Sequence, residues 1–454
     1  MKNLLFFLFL TSITVSFGQT INGFVFDAKT SKPIKGAHVY ISTVEQGTTS
    51  NFRGKFRLKL QSASTVDSIY VSHIGFKLKA FPYVKEKKEY LIYLERNSTE
   101  LSEVQLSSVK RNLNYRLRYN KLSSMKKGLY SFGSTIKDNK IYVVGGNITY
   151  KEDYYKKLNE TRPDIQALPP AMQFREFLRA ARPNFNKDWY RGDLLVYDLN
   201  LDMWEVSETK FRKRAHHNVH IHNNQLYVLG GKLLSKGRKY EYLDDKIEVF
   251  DKASNTLIVD DTNPHQAVNF ASFAKDDKII VMGGSVKQKK NDQKVYTDKV
   301  HLYDLKSGLW YEMASMPIAK ETNGVLIDNT VYLIGGFNKK PLTSIEVFDL
   351  ISGKWKKEGE LFQGFSKPAV TYNDHIIYGF ENGKVITFNT KTKELNQYLI
   401  DLDLKGSELY YANNKLYVLG GFRQNSYATI PSAHLYSIDI NEFQTTKINK
   451  SKRL

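Results

Sequence analysis

Cysteine is absent from all 454 residues of the chain. Without thiols the protein can form no disulfide, no thiolate metal site and no lipid anchor on an N-terminal cysteine, and thiol catalysis is excluded as well. The fold must therefore be stabilised by buried side chains. The composition supplies bulky ones, with 29 Tyr and 26 Phe.

Long apolar runs are also missing beyond the first residues, MKNLLFFLFLTSITVSFGQT. A cation at Lys2, an apolar run over residues 4–10 and small residues before Gln19 predict a secretory signal peptide over residues 1–18. The alternative is a membrane anchor, but the apolar run is far shorter than the roughly 20 residues that a spanning helix needs. We expect an exported protein, periplasmic or on the cell surface. Only KSKRL follows the last repeat, which favours the periplasm.

Acidic residues are too few to balance the basic ones, because 47 Asp and Glu face 67 Lys and Arg, a formal charge of +20. Nucleic acid is not an expected partner of an exported protein, whereas anionic surfaces and polyanionic glycans are. Peripheral association with the outer membrane is one form of this attraction. The alternative, which the even spread of the lysines favours, is a solvated surface that only aids solubility.

Short apolar runs and glycine turns alternate over residues 19–97. About seven short strands in this length predict a small β-sandwich, and the polar residues 98–127 predict a linker. Glycines at 23, 36, 47 and 54 mark the turns. The residues predicted to point into the sandwich are Val25, Val39, Ile41, Phe56 and Leu58.

The same stretch resembles the carboxypeptidase regulatory-like domain of exported Bacteroidetes proteins. The resemblance implies a transthyretin-like sandwich without catalytic residues. LSEVQLSS, residues 101–108, resembles the segment that follows this domain in outer-membrane receptors, but no plug or membrane barrel follows here. The matching positions are Gly23, Val25, Asp27, Pro33, Gly36, Ala37, Val39, Asn51, Gly54, Phe56, Gly75 and Phe76.

A seven-residue pattern that ends in Gly-Gly occurs five times along the chain, and two copies are nearly identical, QLYVLGG at 225–231 and KLYVLGG at 415–421. An Asn/Asp dipeptide precedes each copy, and a sixth copy, DHIIYGFENG, keeps the dipeptide but only Gly379. Asn and Asp tolerate the positive φ of tight hairpins, so each dipeptide is predicted to join two antiparallel strands. The dipeptides are Asp138-Asn139, Asn223-Asn224, Asp276-Asp277, Asp328-Asn329, Asn373-Asp374 and Asn413-Asn414.

Paired glycines end the second strand in five copies. A side chain there is expected to crowd a neighbouring strand or to need an unavailable φ, so we interpret these residues as structural. The pairs are Gly145-Gly146, Gly230-Gly231, Gly283-Gly284, Gly335-Gly336 and Gly420-Gly421.

An aromatic residue is followed seven positions later by another bulky apolar residue in all six copies. A constant spacing across a turn fixes the register of two strands, so each unit is predicted to hold four. Residues 128–449 resemble kelch repeats, which implies a six-bladed β-propeller; the predicted fold class is all-β, a small sandwich followed by this propeller. The pairs are Tyr197 and Trp204, Phe250 and Leu257, Tyr303 and Trp310, Phe348 and Trp355, Phe388 and Leu395, and Tyr436 and Phe443.

Loops after the second strand emerge on the same side of a propeller as the connections between blades, and here they differ most in length. That variation indicates a binding face, with neutral insertion as the alternative. The longest loop, about 151–191, contains PPAMQFREFLRAARPNF, where Pro169 and Pro170 predict the start of a helix and Pro183 predicts its end. One side of that helix is predicted to carry an apolar stripe of Phe174, Phe177, Leu178 and Ala181. This helix either packs on the rim with solvated arginines, which is favoured, or forms a lid whose arginines face an anionic ligand.

Cations and aromatic residues are mixed in the other loops of that side. They could bind an anionic glycan or an acidic protein surface, although the same mixture is ordinary in loops. The candidate ligand-binding residues are Lys236, Arg238, Lys239, Tyr240, Lys287, Lys289, Lys290, Tyr296, Lys339, Lys340, Arg423 and Tyr427.

Histidines in HHNVHIH raise the question of a metal, because His216, His220 and His222 would share one strand face and three imidazoles can bind zinc. No carboxylate supports them, and His217 fits a common kelch position. We therefore expect neither metal nor cofactor.

Catalysis has little support, because no nucleophile motif or close acidic pair is present. Galactose oxidase shares the kelch fold, but its known chemistry needs a cysteine. Catalytic residues stay unknown. The favoured function is an exported, non-enzymatic binding or scaffolding protein with a protein or glycan partner. The alternative is a periplasmic carbohydrate-active enzyme such as a sugar mutarotase.

Overall fold

The computed structural model describes residues 20–41, 46–60, 68–84, 86–87, 89–96, 113–181, 189–260, 263–288 and 293–454. The chain divides into two compact units, residues 1–110 and 111–454. The predicted signal peptide, residues 1–18, lies outside the described residues. No helix within the described ranges is long and apolar enough to cross a bilayer.

The first unit packs two β-sheets face to face. All five residues that the sequence predicts to point inward are buried, and alternate residues of Thr20–Asp27 are buried as a half-exposed strand requires. Thr20–Asp27 pairs with Lys55–Lys59 and with Glu89–Leu94. The strands of the second sheet are Gln46–Thr49, His38–Ile41, Ser68–Ser72 and Lys79–Pro82.

The second unit consists of six antiparallel sheets, here called blades 1 to 6. Their inner strands follow one another around a ring, which closes where the Tyr410 hydroxyl of blade 6 donates to Ser134 Oγ of blade 1 at 2.6 Å. The strands of blades 1 to 3 are Gly133–Lys137, Lys140–Asn147, Tyr190–Asp198 and Met203–Lys210; Asn218–His222, Gln225–Leu229, Ile247–Asp251 and Thr256–Asp260; and Ala271–Lys275, Lys278–Met282, Val300–Asp304 and Leu309–Glu312.

Blades 4 and 5 repeat this four-stranded plan, and blade 6 supplies three strands of its own. The fold is therefore all-β, a sandwich and a six-bladed propeller, as the sequence predicts. Their strands are Gly324–Ile327, Thr330–Ile334, Lys340–Asp349 and Lys354–Phe365; Ala369–Asn373, Ile376–Glu381, Lys384–Asn389 and Glu394–Leu399; and Glu408–Ala412, Lys415–Leu419 and Leu435–Asp439.

Blade 6 takes its outer strand from the other end of the propeller. Asn120–Lys121 pairs with Tyr436 and Ser437, so residues 113–127 pack with the propeller. The C-terminal strand, Lys450–Arg453, adds a fifth strand to blade 5 beside Glu394–Leu399. Two segments from opposite ends of this unit therefore close adjacent blades.

This closure corrects the sixth aromatic pair. Phe443 is not on a strand opposite Tyr436, because Asn120–Lys121 already occupies that position. It lies instead in a short helix, Glu442–Thr445, and packs against Tyr378 and Tyr398 of blade 5 with ring centroids 5.6 and 5.0 Å away.

The other five aromatic pairs lie directly opposite each other on the third and fourth strands, as predicted. In blade 4, the Phe348 and Trp355 rings stack 4.6 Å apart. The predicted two-residue turns are confirmed in five blades, whereas in blade 5 the turn is Asp374-His375, one residue later than expected, because Asn373 pairs with Ile376. Asp374 takes the positive φ, 51°, that this turn requires.

Both glycines of every pair have a positive φ, and at most of them an added Cβ would also lie against a neighbouring backbone carbonyl. A Cβ on Gly283 (φ 70°) would lie 2.7 Å from the carbonyl oxygen of Lys320 at the start of blade 4. Gly308 (φ 69°) lies in a turn with no heavy atom within 4 Å of the same position. A comparison of substitutions at these two glycines therefore distinguishes the cost of backbone strain from the cost of a steric clash.

Replacing these glycines by alanine should have unequal effects. Gly308→Ala is expected to cost about 1–2 kcal/mol, the strain of a left-handed alanine. Gly283→Ala should cost distinctly more, because its methyl group also displaces the neighbouring blade. Urea denaturation of the two variants measures the difference, and equal losses would contradict the proposed contact.

Candidate functional site

One side of the propeller, here the loop face, carries the loops between second and third strands and the connections between blades. The opposite side, the hairpin face, carries the short turns. On the loop face the loop of blade 1 runs from Asn147 to Tyr190, whereas that of blade 5 is only Asn382-Gly383. The loops of the loop face are therefore longest at blade 1 and shortest at blade 5.

The long loop of blade 1 is joined to the loop of blade 6. Its strand Lys151–Glu152 pairs with Ala428–Pro431, which itself forms a hairpin with Phe422–Gln424. Helix α1, Tyr154–Thr161, follows, and the Asp153 side chain caps it by accepting from the Lys156 N–H at 3.0 Å.

A 3₁₀ helix, Pro163–Ala167, leads from α1 to helix α2, Pro170–Ala181, which begins at the predicted proline. Helix α2 rests on α1, with the Phe177 and Tyr155 rings 6.0 Å apart. Phe174 stays 61% exposed, so much of the predicted apolar stripe is uncovered. Arg179 binds Glu176 at 2.8 Å within the helix, which does not support arginines facing a ligand.

The loop of blade 2 is a hairpin of Lys232–Leu234 and Glu241–Leu243. The Arg238 guanidinium lies 3.5 Å from the centre of the Trp189 ring, and the Tyr190 hydroxyl donates to Glu241. Because Trp189 and Tyr190 end the loop of blade 1, the loops of blades 6, 1 and 2 form one connected surface.

Loops of blades 3 and 4 are connected in the same way. The first contains Ser285–Gln288 and Lys294–Tyr296, the second Phe337–Asn338. The Lys294 ammonium binds Glu321 at 2.8 and 2.9 Å, and the Lys339 N–H donates to the Tyr296 hydroxyl at 3.2 Å.

The described candidate ligand-binding residues lie on the loop face but are spread over four blades. Among them, Tyr296 and Lys339 contact each other. None lines the cavity at the centre of the ring, and they stay predictions. Lys289 and Lys290 lie outside the described residues. Exposed members are Lys236, Lys239, Tyr240, Lys287, Lys339, Lys340 and Arg423, and partly buried ones are Arg238, Tyr296 and Tyr427.

A cavity of about 360 Å³, here the central cavity, opens at the middle of the loop face. It is built from the connections between blades, mainly from the residue two places before each inner strand. Because the blade 5 loop is so short, Glu381, Asn382 and Lys384 also reach it. Lining residues at the connecting position are Ser131, His216, Asn269, Lys367 and Gly406.

Sequence reasoning missed this cavity, since its residues are of different types and lie far apart in the chain. These residues do share one structural feature. Ser131, His216, Asn269 and Gly406 occupy one repeat position and all have φ between 53° and 61°. Such a backbone turn directs the following strand into the ring.

Charged groups face each other across the central cavity. The Lys367 ammonium donates to Asn269 Oδ1 at 3.1 Å, and His216 Nδ1 lies 3.0 Å from the same oxygen. Burial lowers the pKa of Lys367, while Glu408 and Glu321 oppose that shift. Burial raises the pKa of Glu408 to about 7, with Lys367 again opposing. A carboxyl group on the inner strand of blade 6, which interacts with the cavity residue Lys367, therefore has a pKa near neutral.

Glu408→Gln should change how stability depends on pH. A carboxyl whose pKa rises from 4.5 to about 7 on folding stabilises the protein fully below pH 4.5 and loses that contribution as pH rises through 7. Thermal unfolding of the wild type should show this loss between pH 5 and pH 8, and the variant should lack it. Identical profiles would place Glu408 in a solvated environment.

The four histidines of HHNVHIH have separate partners. His216, His220 and His222 do face one side, toward Asn269, Ser272 and Asp277 of blade 3. His217 Nε2 accepts from the Gly133 N–H at 3.2 Å. Within the described ranges, no group of three or more His, Asp or Glu side chains is arranged to hold a metal.

Comparison with known proteins is consistent with this architecture. Residues 184–388 match the family model described as "KLHDC2/KLHL20/DRC7 Kelch-repeats domain", and residues 21–106 match "CarboxypepD_reg-like domain". Human Kelch-like protein 38 is 24% identical over 288 residues, which is 61% of this chain and 48% of that protein.

Two further relatives match a smaller part of this chain. Kelch-like protein 40 of Xenopus laevis is 24% identical over 38% of this chain and 27% of its own length, and Kelch repeat and BTB domain-containing protein 1 of cowpox virus is 25% identical over 50% and 41%. The chain thus spans less than half of each relative. Kelch repeats suggest a protein-binding or scaffold role. Residues 21–106 are therefore similar to carboxypeptidase regulatory-like domains, and residues 184–388 are similar to kelch-repeat domains.

Proposed function

We propose that this protein is an exported, non-enzymatic binding protein that holds a protein partner on the loop face of its propeller. The distribution of large, exposed apolar side chains carries the proposal, because such clusters mark interaction surfaces. Among the described residues, the short turns of the hairpin face carry two, Leu201 and Ile351. Loops of the loop face carry Tyr150, Tyr155, Met172, Phe174, Leu178, Trp189, Tyr240, Tyr242 and Ile430.

These nine side chains all belong to the connected loops of blades 6, 1 and 2, and one further exposed side chain of this face, Ile318, lies on the connection between blades 3 and 4. The strand pairing at Lys151–Glu152 and the contact of Arg238 with Trp189 hold those loops together before any partner arrives. A surface ordered in advance loses less conformational entropy on binding. Lys236 and Lys239 are exposed at its edge, which favours a partner with an acidic rim.

Affinity capture from the periplasmic and surface fractions tests the proposal. The full chain serves as bait, beside a Tyr240→Ala/Tyr242→Ala variant of the loop face and a Leu201→Ala/Ile351→Ala control of the hairpin face. A partner retained by the wild type and the control but lost by the loop-face variant supports the proposal. Equal capture by all three contradicts it. The same baits on a panel of anionic glycans test the partner class that the sequence left open.

Export is tested separately. Mass spectrometry of the protein purified from its own cells should find a mature N-terminus at Gln19, and cell fractionation should place the chain outside the cytoplasm. An intact Met1 in a cytoplasmic fraction would remove this part of the proposal.

A sugar mutarotase is a second candidate, and the central cavity favours it. Lys367 and His216 line this cavity, Glu408 interacts with Lys367, and all three have shifted pKa values, which is typical of acid–base sites. Anomer exchange, measured on common sugars with and without added metal, tests this candidate. Anomer exchange that the wild type accelerates and Glu408→Gln does not would support the mutarotase. No acceleration with any sugar of the panel would contradict it.

A further inference from the structure

A second cavity, here the flank groove, lies on the side of blade 1 next to blade 6. Its volume is about 500 Å³, and it shares no residue with the central cavity. That size is within the range of sites for small ligands. One wall comes from the segment that enters blade 1, and the other from the third and fourth strands of that blade. Its apolar lining consists of Met125, Leu129, Ile148, Leu195, Trp204 and Val206.

The groove coincides with an irregularity in the outer strand of blade 1. Leu195 pairs with Val206 and Asp193 with Lys210, so one residue intervenes on the third strand and three on the fourth. The outer strand therefore bulges between Val206 and Lys210, and both of these residues line the groove. Blade 4 has a longer bulge between the same two strands, where Leu342 pairs with Phe365 and Ser344 with Glu360.

The Trp204 wall is rigid before any ligand binds. Its indole N–H donates to the Ser123 carbonyl at 2.9 Å, and its ring lies 5.0 Å from that of Tyr197. Met125 and Leu129 at the floor are both buried in the core between blades 6 and 1. A preformed apolar wall binds an apolar body with little loss of conformational entropy.

Positive charge surrounds the groove. Four cations line it, Lys126, Lys127, Arg191 and Lys210, against one carboxylate, Asp193. Asp193 is already neutralised, because it accepts from Arg191 Nε at 2.7 Å and from Lys210 Nζ at 2.8 Å. Lys126 and Lys127 are exposed and form no ion pair with any described carboxylate. Two ammonium groups are thus free to meet an anion at one end of the apolar lining.

We propose that the flank groove binds an amphipathic monocarboxylate, a molecule with an apolar body and one terminal carboxylate. The body covers Trp204, Ile148 and Leu195, and the carboxylate meets the ammonium groups of Lys126 and Lys127. A cationic amphiphile of the same length is repelled by those groups, and a neutral one gains the apolar contact alone. This inference is independent of the loop-face partner.

Calorimetric titration of the full chain with decanoate, decanol and decyltrimethylammonium tests the proposal. Decanoate should bind saturably, at least about tenfold more tightly than decanol, and the ammonium compound should not bind. The double substitution Lys126→Glu/Lys127→Glu should lower the affinity for decanoate at least about tenfold. Val206→Trp, a change at an exposed rim residue, should block the groove. Lys391→Glu, an exposed lysine of blade 5, is the matched control and should leave binding unchanged.

Three results would overturn the inference. They are an absence of saturable decanoate binding, an equal affinity of the wild type and the double lysine variant, and an equal affinity for decanoate and the ammonium compound. Melting temperatures of all variants should match the wild type, because the substituted side chains are exposed. Trp204 fluorescence, read in a variant with the other three tryptophans replaced by phenylalanine, reports occupancy of the flank groove independently of the calorimetric signal.

Discussion

Lys320→Met should lower the free energy of unfolding of the propeller by about 3–5 kcal/mol, because it leaves a buried carboxylate without its partner. Lys320 is fully buried at the entrance to blade 4. Its ammonium lies 2.9 Å from Glu346 Oε2 and donates to the Gly335 carbonyl at 2.9 Å. The substitution therefore leaves both the Glu346 carboxylate and the Gly335 carbonyl without the Lys320 ammonium in a buried environment.

Two further variants make this prediction specific. Lys320→Met/Glu346→Leu should recover most of the lost stability, because no uncompensated charge remains. Lys357→Met breaks a pair with Glu360 whose side chains are both more than half exposed, and should cost well under about 1 kcal/mol. Urea denaturation followed by tryptophan fluorescence measures all three. If Lys320→Met costs no more than Lys357→Met, the buried pair is not structural.

Trp189→Ala is expected to weaken binding of the proposed protein partner by about 30-fold or more, the effect of losing a central interface residue. Tryptophan and arginine are enriched at such positions, and here Arg238 lies against the Trp189 ring at 3.5 Å. The side chain is 45% exposed, so its removal should leave stability within about 0.5 kcal/mol of the wild type.

The measurement is a binding titration against the captured partner. Arg238→Ala should act on the same contact, so the double variant should lose less than the sum of the single losses. Leu201→Ala, on the hairpin face, is the control and should bind normally. Normal binding by Trp189→Ala would move the interface away from blades 1 and 2.

Sequence patterns predicted the repeating parts of this fold because those parts are local. A turn dipeptide and a seven-residue spacing each act within one hairpin, so Tyr303 meets Trp310 wherever the blade lies in the ring. Closure of the ring is different. Asn120–Lys121 is a two-residue strand whose partner is more than 300 positions away, and so short a strand has no periodicity to detect.

The central cavity could not be predicted for a related reason. Ser131, Asn269 and Lys367 become neighbours only when six blades close into a ring, and no motif links such different residue types. Arg238 was singled out for its charge, but its contact with Trp189 depends on how two loops from separate blades meet. Exposed cations on loops are easily found in a sequence, whereas the geometry that makes them useful is not.

The short strand that completes blade 6 also determines how the propeller should be isolated for experiment. A fragment starting at residue 128, where the repeats begin, would leave Leu435–Asp439 as an unpaired edge, and such edges promote association between chains. It would also lose Leu117, which bridges to Ile400 of blade 5. A fragment starting at residue 113 keeps both contacts and is the appropriate material for binding and stability measurements.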